Sequence, residues 1–551
     1  MNRSEMDLLQ RLKALNPLIE DVMRITGSVG LSVGIVHESQ IVYTANFGFR
    51  DIGNRLPPND ETLYYIASRT KFMTGAAIAV LVEEGKLSWD TLVKDALPDF
   101  QHPDKEISEK ATIADILSHR SGLTANMAYW MGEHCRLTIP ETDFVKTATI
   151  LERIHELRST FLYNNWGSGL GGMIVQRHSG LSLGTFLNQR FFEPLGLSRT
   201  TLEVNPKWKN VAEPYLWSGD EDHPLHVAKV PVGDGQMMAG AMGGKSTVKD
   251  LIAFYKSYML AFHDQTTRNA TSTAGNPFKQ AVKLAEPQIS LTKTADVPSQ
   301  DTYTLGWVRA QLPAKMSHVI TPNAMFKSHP LVGKGLEHPP EIFYHFGSLV
   351  GYLGSTILIP GSNSIILVET NTLGNSDGAN WIGSMILEAF LDVPAEARND
   401  YRKLAEDARA AQAEQFPKML KAFEEGRRTN ASIRPLSEYV GKYYNAVGTY
   451  YLDIYEEGGS LWMCRGGDKR EVDSVYQLQQ YSDDVFSWAM DYTESCRRGL
   501  WPNPTLGFYL LNFTPESKEG PIDRIVWRHS PSVPEGEVML RNTYGSRPGQ
   551  M

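Results

Sequence analysis

Strand-like runs at two distant places constrain the fold of this chain most. Residues 31–36 and 41–49 are apolar or alternating and are joined by His37-Glu38-Ser39-Gln40, the pattern of a hairpin. Strand character returns only at residues 303–309, 342–345, 356–359 and 365–369. Between the two sets, from Ser68 to about Phe262, helix and loop signals dominate, as at residues 113–117, 182–192 and 248–259. Two strand sets separated in this way share a core most simply by joining one antiparallel sheet. The expectation is an α+β fold with an α subdomain inserted at about residues 70–262. Helices at both ends would flank the sheet. Residues 7–24 carry Leu8, Leu12, Leu15, Ile19, Val22 and Met23 on one helical stripe, and a second helix is expected over residues 379–391.

After this first unit, residues 1–395, composition changes twice. Residues 397–428 are charged and alanine-rich, which predicts a solvated connecting helix within a linker at 396–430. Beyond Pro435, short alternating runs rich in Tyr, Trp and Phe appear, at 450–455, 485–490 and 506–513. They predict a separate antiparallel β domain over 431–551, a sandwich or a lipocalin-like barrel. A polar stretch at 264–277 reads as an exposed loop.

The chain of 551 residues has room for several cores, and its 42% apolar and 21% charged content is that of a globular protein. A net charge of −9, with no basic run interleaved with aromatics, argues against nucleic acid as a partner. Cys135, Cys464 and Cys496 have no metal-ligand spacing and are expected to be reduced, partly buried thiols. No metal and no cofactor are expected. The start is polar, and no apolar run reaches the ~18–20 residues of a membrane span. A soluble, cytoplasmic protein acting on a small molecule is the expectation, with oligomeric state open. The Asn-x-Ser/Thr matches at Asn269, Asn430 and Asn512 are then coincidences.

The motif with chemical content is Ser68-Arg69-Thr70-Lys71, which precedes an apolar helical stretch at 72–82. A serine at a helix start has unpaired N–H groups beside it. A lysine three residues on shares its helical face and can take its proton. Ser246-x-x-Lys249 and Ser290-x-x-Lys293 have the same spacing but lack this setting. Downstream, Tyr163-Asn164-Asn165 lies in a turn-like stretch, and beside a lysine cation the phenolate of Tyr163 would be favoured. His345-Phe346-Gly347-Ser348 ends a strand read here as an edge strand. Its glycine lets backbone approach, and the Ser348 N–H would join that of Ser68 in an oxyanion hole.

In this order, Ser-x-x-Lys, Tyr-x-Asn and His-x-Gly resemble the serine β-lactamase and penicillin-binding-protein superfamily. The likeness is greatest to its branch of class C β-lactamases, esterases and D-aminopeptidases. Residues 112–123, 193–197 and 239–244 look similar as well, so the resemblance spans most of residues 20–395. The region from His345 to Asn371, with the C-terminal domain, resembles a fungal subgroup that accompanies natural-product biosynthetic genes. The resemblance implies the β-lactamase/transpeptidase-like fold. It implies Ser68 as nucleophile, Lys71 as its proton acceptor, Tyr163 as general base and acid, and Asn165 as an orienting group. His345 stands where penicillin-recognising members carry a lysine. A neutral histidine binds a carboxylate less well, so esters, thioesters or amides are expected in preference to β-lactams.

Tyr129, Trp130 and Trp166 are candidates for an apolar pocket, with core packing the alternative, and the loop at 312–341 is a candidate cover for the cleft. For His119 the resemblance implies a structural role or one supporting the catalytic groups from behind. Residues 239–246 match a relaxed phosphate-loop pattern, but no strand precedes them. They are read as a loop bordering the cleft. Two other functions stay open: acid/base isomerisation, cyclisation or dehydration in the same Tyr163–Lys71 pocket, and a non-catalytic binding protein.

Overall fold

In the computed structural model the described residues are 3–204, 206–218, 224–291, 301–318, 326–428, 432–466, 474–517 and 520–541. Their centre is an eight-stranded sheet. In chain order its strands are β1 (Gly30–His37), β2 (Gln40–Gly48), β3 (Ile289–Ser290), β4 (Thr302–Tyr303), β5 (Val308–Gln311), β6 (Glu341–Leu349), β7 (Tyr352–Ile359) and β8 (Ser364–Thr370). They lie side by side as β2-β1-β8-β7-β6-β5-β4-β3, every pair antiparallel. The first hairpin therefore docks on the last strand through β1 and β8. β7 and β8 are buried along their whole length, and residues 357–359 and 365–368 within them are continuous apolar runs.

The helices divide between the two faces of the sheet. On one lie α1 (Arg3–Ala14), α2 (Asn16–Thr26) and a later apolar helix, Gly378–Phe390. The single helix expected at 7–24 is two helices, because Pro17 lacks the N–H that an interior turn needs and starts the second one instead. On the other face lie α3 (Thr70–Glu83) and, farther along, α4 (Asn165–Ser179) and α5 (Val248–Arg268). α3 is buried from Thr70 through Leu81, so it runs through the interior and shows no amphipathic stripe. α5 continues past the expected start of the exposed loop. Asp264 pairs with Arg268 one turn on, and Asn269 in left-handed conformation (φ 50°) ends the helix.

Gly378–Phe390, α6 in chain order, is followed by α7 (Tyr401–Ala413) and α8 (Gln415–Gly426). The linker is thus two helices and is not fully solvated. Tyr401, Ala405 and Ala408 pack α7 onto α2 and α6, while Phe416, Met419 and Phe423 are buried on α8. Beyond it, eight antiparallel strands from Gly441–Tyr444 to Glu537–Arg541 close into a barrel, the closing pair being Tyr443 with Arg541 and Tyr444 with Leu540. Closure removes the free strand edges that a sandwich would leave. Two expected strands are shorter: residues 485–487 alone are extended, and Leu506–Tyr509 forms a 3-10 turn before its strand. No helix among the described residues is long and apolar enough to cross a membrane.

Candidate functional site

Ser68 lies in a 3-10 turn, Ala67–Arg69, that leads directly into α3. Ala67 has φ 49°, a left-handed conformation uncommon for a residue with a Cβ, so the turn presenting Ser68 is strained. Arg69 holds it in place. The guanidinium is buried, donates through Nε to Ile66 O, and makes a two-pronged ion pair with the buried Glu369 of β8. To reach β8 it crosses β6 and β7 over two paired glycines. Gly347 is opposite Gly354, and Gly354 is opposite Glu369. A Cβ on Gly347 would stand 2.4 Å from Ile66 O, and one on Gly354 2.2 Å from Arg69 Nη2. The glycines are required by this close approach, not by their dihedrals.

β6 is an interior strand, not the edge strand expected, and it continues past His345 to Leu349. Its pairing with β5 ends at Tyr344, however, so from His345 onward that side of β6 faces the Ser68 turn. A two-residue turn joins Leu349 to Tyr352, which fixes the alternation of the ladder and aims the Ser348 N–H away from β7. That N–H and the N–H of Ser68, the middle residue of the Ala67–Arg69 turn, are the candidate oxyanion donors.

Lys71 Nζ lies 3.0 Å from Ser68 Oγ, 2.7 Å from Asn165 Oδ1 and 3.1 Å from Ala241 O. Burial pushes its pKa well below the ordinary lysine value, with no carboxylate opposing the shift. In the neutral amine two hydrogens remain, and two of the three neighbours, Asn165 Oδ1 and Ala241 O, only accept. With those two hydrogens so engaged, the amine lone pair would face Ser68 Oγ at 3.0 Å, placed to take its proton.

Tyr163 shares a hydrogen bond with Ser68, and its ring centre is 4.9 Å from Lys71 Nζ. Burial raises its pKa, so the phenol stays protonated. This overturns the expectation of a phenolate favoured by a lysine cation, because the enclosure that would strengthen that attraction disfavours both charges. Asn164 caps α4 and so aims Asn165 at Lys71. His119, itself at φ 58°, brackets Tyr163: its carbonyl accepts from Leu162 N–H and its Nδ1 from Asn164 N–H.

His345 is fully buried, and burial lowers its pKa to about 3. Nδ1–H donates to Phe346 O at 2.7 Å, which fixes the tautomer, and Nε2 accepts from the Tyr303 hydroxyl at 3.1 Å. Both ring nitrogens are occupied, so His345 supports the site from behind and has no free nitrogen to offer a ligand. Sequence reading missed Tyr303, Arg69 and Glu369. The glycine pair 347/354 was the available signal for the last two.

Of the three aromatic candidates, Trp130 lines a cavity of about 280 Å3 between the 125–131 segment and the barrel. Trp166 is wholly buried, stacked on Phe144, and donates to Ala125 O and Asn126 O. Tyr129 is also wholly buried, against Tyr450 and His529 of the barrel. Both are packing residues. The described part of the 312–341 loop lies over α6, where Asn380 bonds Met316 O and Trp381 meets Phe326 and His329. α6 packs on the Ser355 side of β7, opposite Gly354 and Arg69, so these residues do not cover Ser68.

Ser246-x-x-Lys249 does not share this setting, and Ser290-x-x-Lys293 is only partly described. Lys249 is exposed and paired with Glu61, and residues 292–293 lie outside the described residues. The buried Lys245 donates to Val232 O and Gly243 O, which leaves the 239–246 loop no phosphate-binding lysine. That loop does border the site, through Ala241 O. Cys135, Cys464 and Cys496 are buried and form no disulfide, and no group of three metal-ligating side chains occurs among the described residues.

The β-lactamase family profile matches residues 15–388, from the start of α2 into α6. The chain belongs to the β-lactamase family. A second profile, a domain of unknown function (DUF3471), matches residues 427–542, the barrel. Among curated proteins, an unguisins hydrolase of Aspergillus campestris is 24% identical over 79% of this chain and 74% of its own length. That of Aspergillus violaceofuscus is 23% identical over 85% and 81%. The octameric penicillin-binding protein homologue of Pyrococcus abyssi has the same fold (TM-score 0.54, 19% identity, 96% of this chain and 99% of that one). The β-lactamase family is one of serine hydrolases, and Ser68, Lys71, Tyr163 and Asn165 meet inside the matched region of this member.

Proposed function

We propose that the protein is a serine hydrolase or acyltransferase that cleaves an ester, thioester or amide through an acyl-Ser68 intermediate. Ser68 passes its proton to neutral Lys71 as Oγ attacks the carbonyl carbon. The N–H groups of Ser68 and Ser348 hold the oxyanion, where losing one such donor costs about 2.7–4 kcal/mol of transition-state stabilisation. Tyr163 gives its hydroxyl proton to the leaving group and regains one from the Lys71 ammonium. Water or an alcohol, deprotonated along the same path, then releases the acyl group and restores Ser68.

The observation that carries this reading is the Lys71 amine, 3.0 Å from Ser68 Oγ and otherwise surrounded by groups that only accept. The neutral, fully engaged His345 favours substrates without a carboxylate at that position. The two similar Aspergillus proteins are hydrolases of unguisins, which supports a role in fungal natural-product biosynthesis.

Intact-mass analysis after incubation with a fluorophosphonate tests the proposal. One adduct is expected, located at Ser68 and missing from Ser68→Ala. Side by side, p-nitrophenyl butyrate is expected to be turned over faster than nitrocefin. Full turnover of a native substrate by Ser68→Ala would replace acyl transfer with acid/base chemistry in the same pocket.

A further inference from the structure

The barrel reaches into the catalytic unit through one buried arginine. Arg465 donates from Nη2 to Ala128 O (3.2 Å) and Met131 O (3.4 Å), and its Nη1 lies 3.7 Å from the carboxylate of Glu133. Its own surroundings are barrel aromatics: Nε donates to Tyr450, and the guanidinium packs on Trp488 and Phe508. Glu133 enters the barrel in return and accepts from the Tyr476 hydroxyl. Next to it the barrel carbonyls of Arg498 and Gly499 accept from His134 N–H and the Cys135 thiol.

The segment gripped in this way is strained. Asn126, His134 and Cys135 have φ of 21°, 53° and 60°, and none is glycine. Such conformations persist where the surroundings enforce them, and here the surroundings are the barrel. The front of the same segment holds the start of α4. Leu123 O and Thr124 O accept from Asn164 Nδ2, and Ala125 O and Asn126 O accept from Trp166 Nε1. Asn165, between those two residues, contacts Lys71, and Tyr163 immediately precedes them.

We infer that Arg465 is a positioning residue for the Ser68 site: by fixing the strained 125–135 segment, the barrel sets where Tyr163 and Asn165 stand relative to Lys71. This rests on the acyl-serine reading and gives the C-terminal domain a part in it. Shifts of about 1 Å in such a constellation are worth on the order of a hundredfold in rate.

The test compares Arg465→Met, Arg465→Lys and Phe513→Ala in the full-length chain. Phe513 is a buried barrel residue packed on Tyr439, Tyr443 and Phe486. Thermal unfolding, kcat and KM for p-nitrophenyl butyrate, and the rate of fluorophosphonate labelling are measured for each. Arg465→Met is expected to lower kcat and the labelling rate together by roughly tenfold to a hundredfold, with KM nearly unchanged and partial recovery in Arg465→Lys. Phe513→Ala is expected to lower Tm and leave kcat alone. Wild-type kcat and labelling in Arg465→Met would overturn the inference, as would an equal loss of kcat in Phe513→Ala at an equal fall in Tm. Either result leaves acyl-serine chemistry standing so long as Ser68→Ala abolishes labelling. Loss of that chemistry itself would show as labelling that survives in Ser68→Ala.

Discussion

Arg69, the residue after Ser68, forms a two-pronged ion pair with Glu369 two strands beyond the nearest one, lying across Gly347 and Gly354 to reach it. The pair clamps the strained Ala67–Arg69 turn to the sheet. Glu369→Gln leaves a buried guanidinium without its counter-charge, a loss of about 3–5 kcal/mol. Urea unfolding measures it, and a change below about 1 kcal/mol would mean that the pair is not what anchors the turn.

Gly354→Ala tests the same clamp by crowding. The added methyl would fall 2.2 Å from Arg69 Nη2, so the guanidinium must move and the Ser68 turn with it. Turnover of p-nitrophenyl butyrate is expected to fall by at least about tenfold. Undiminished turnover would show that Ser68 keeps its place without Arg69 in the glycine track.

Lys71 links function to stability. Its pKa is about 10.5 in the unfolded chain and well below that in the folded protein, where burial disfavours the charge. Between the two values the unfolded chain binds more protons, so this group makes stability rise with pH across that window and weakens the fold at neutral pH. Lys71→Met removes the linkage. The variant is expected to be inactive yet to have a higher Tm than wild type at pH 7, with the difference shrinking towards pH 10.5. A lower Tm at pH 7 would indicate that the lysine is held charged.

Tyr303 supports His345 from behind. Tyr303→Phe leaves the buried Nε2 without its donor, a cost of about 1–3 kcal/mol, readable by denaturation. Because His345 offers no free nitrogen to a ligand, the ratio of p-nitrophenyl butyrate to nitrocefin turnover is expected to stay constant. A marked shift of that ratio would place His345 in contact with the substrate.

The sheet, the inserted helical region and the barrel were legible because burial imposes patterns: apolar runs at 357–359 in β7 and 365–368 in β8, and alternation in barrel strands such as 475–482 and 510–515. Ser68, Lys71, Tyr163 and Asn165 were legible as motifs at fixed spacing, and the structure brings them together. What could not be read depended on three-dimensional partners. Nothing local tells Arg69 that Glu369 lies three hundred positions away, or His345 that Tyr303 will fill its second nitrogen. The ionisation of Tyr163 was misjudged for the same reason, since burial is a property of the assembled site. Trp166 looks like a pocket residue from its place after Asn165, yet it points into the packing beside Phe144.

The central claim is that buried, neutral Lys71 takes the Ser68 proton. The pH dependence of the second-order rate of fluorophosphonate labelling at Ser68 tests it most directly. The account predicts a rate that falls as pH drops through a single ionisation lying well below 10.5, that keeps this ionisation in Tyr163→Phe, and that collapses in Lys71→Met. Labelling that survives in Lys71→Met, or whose ionisation disappears in Tyr163→Phe, would contradict it.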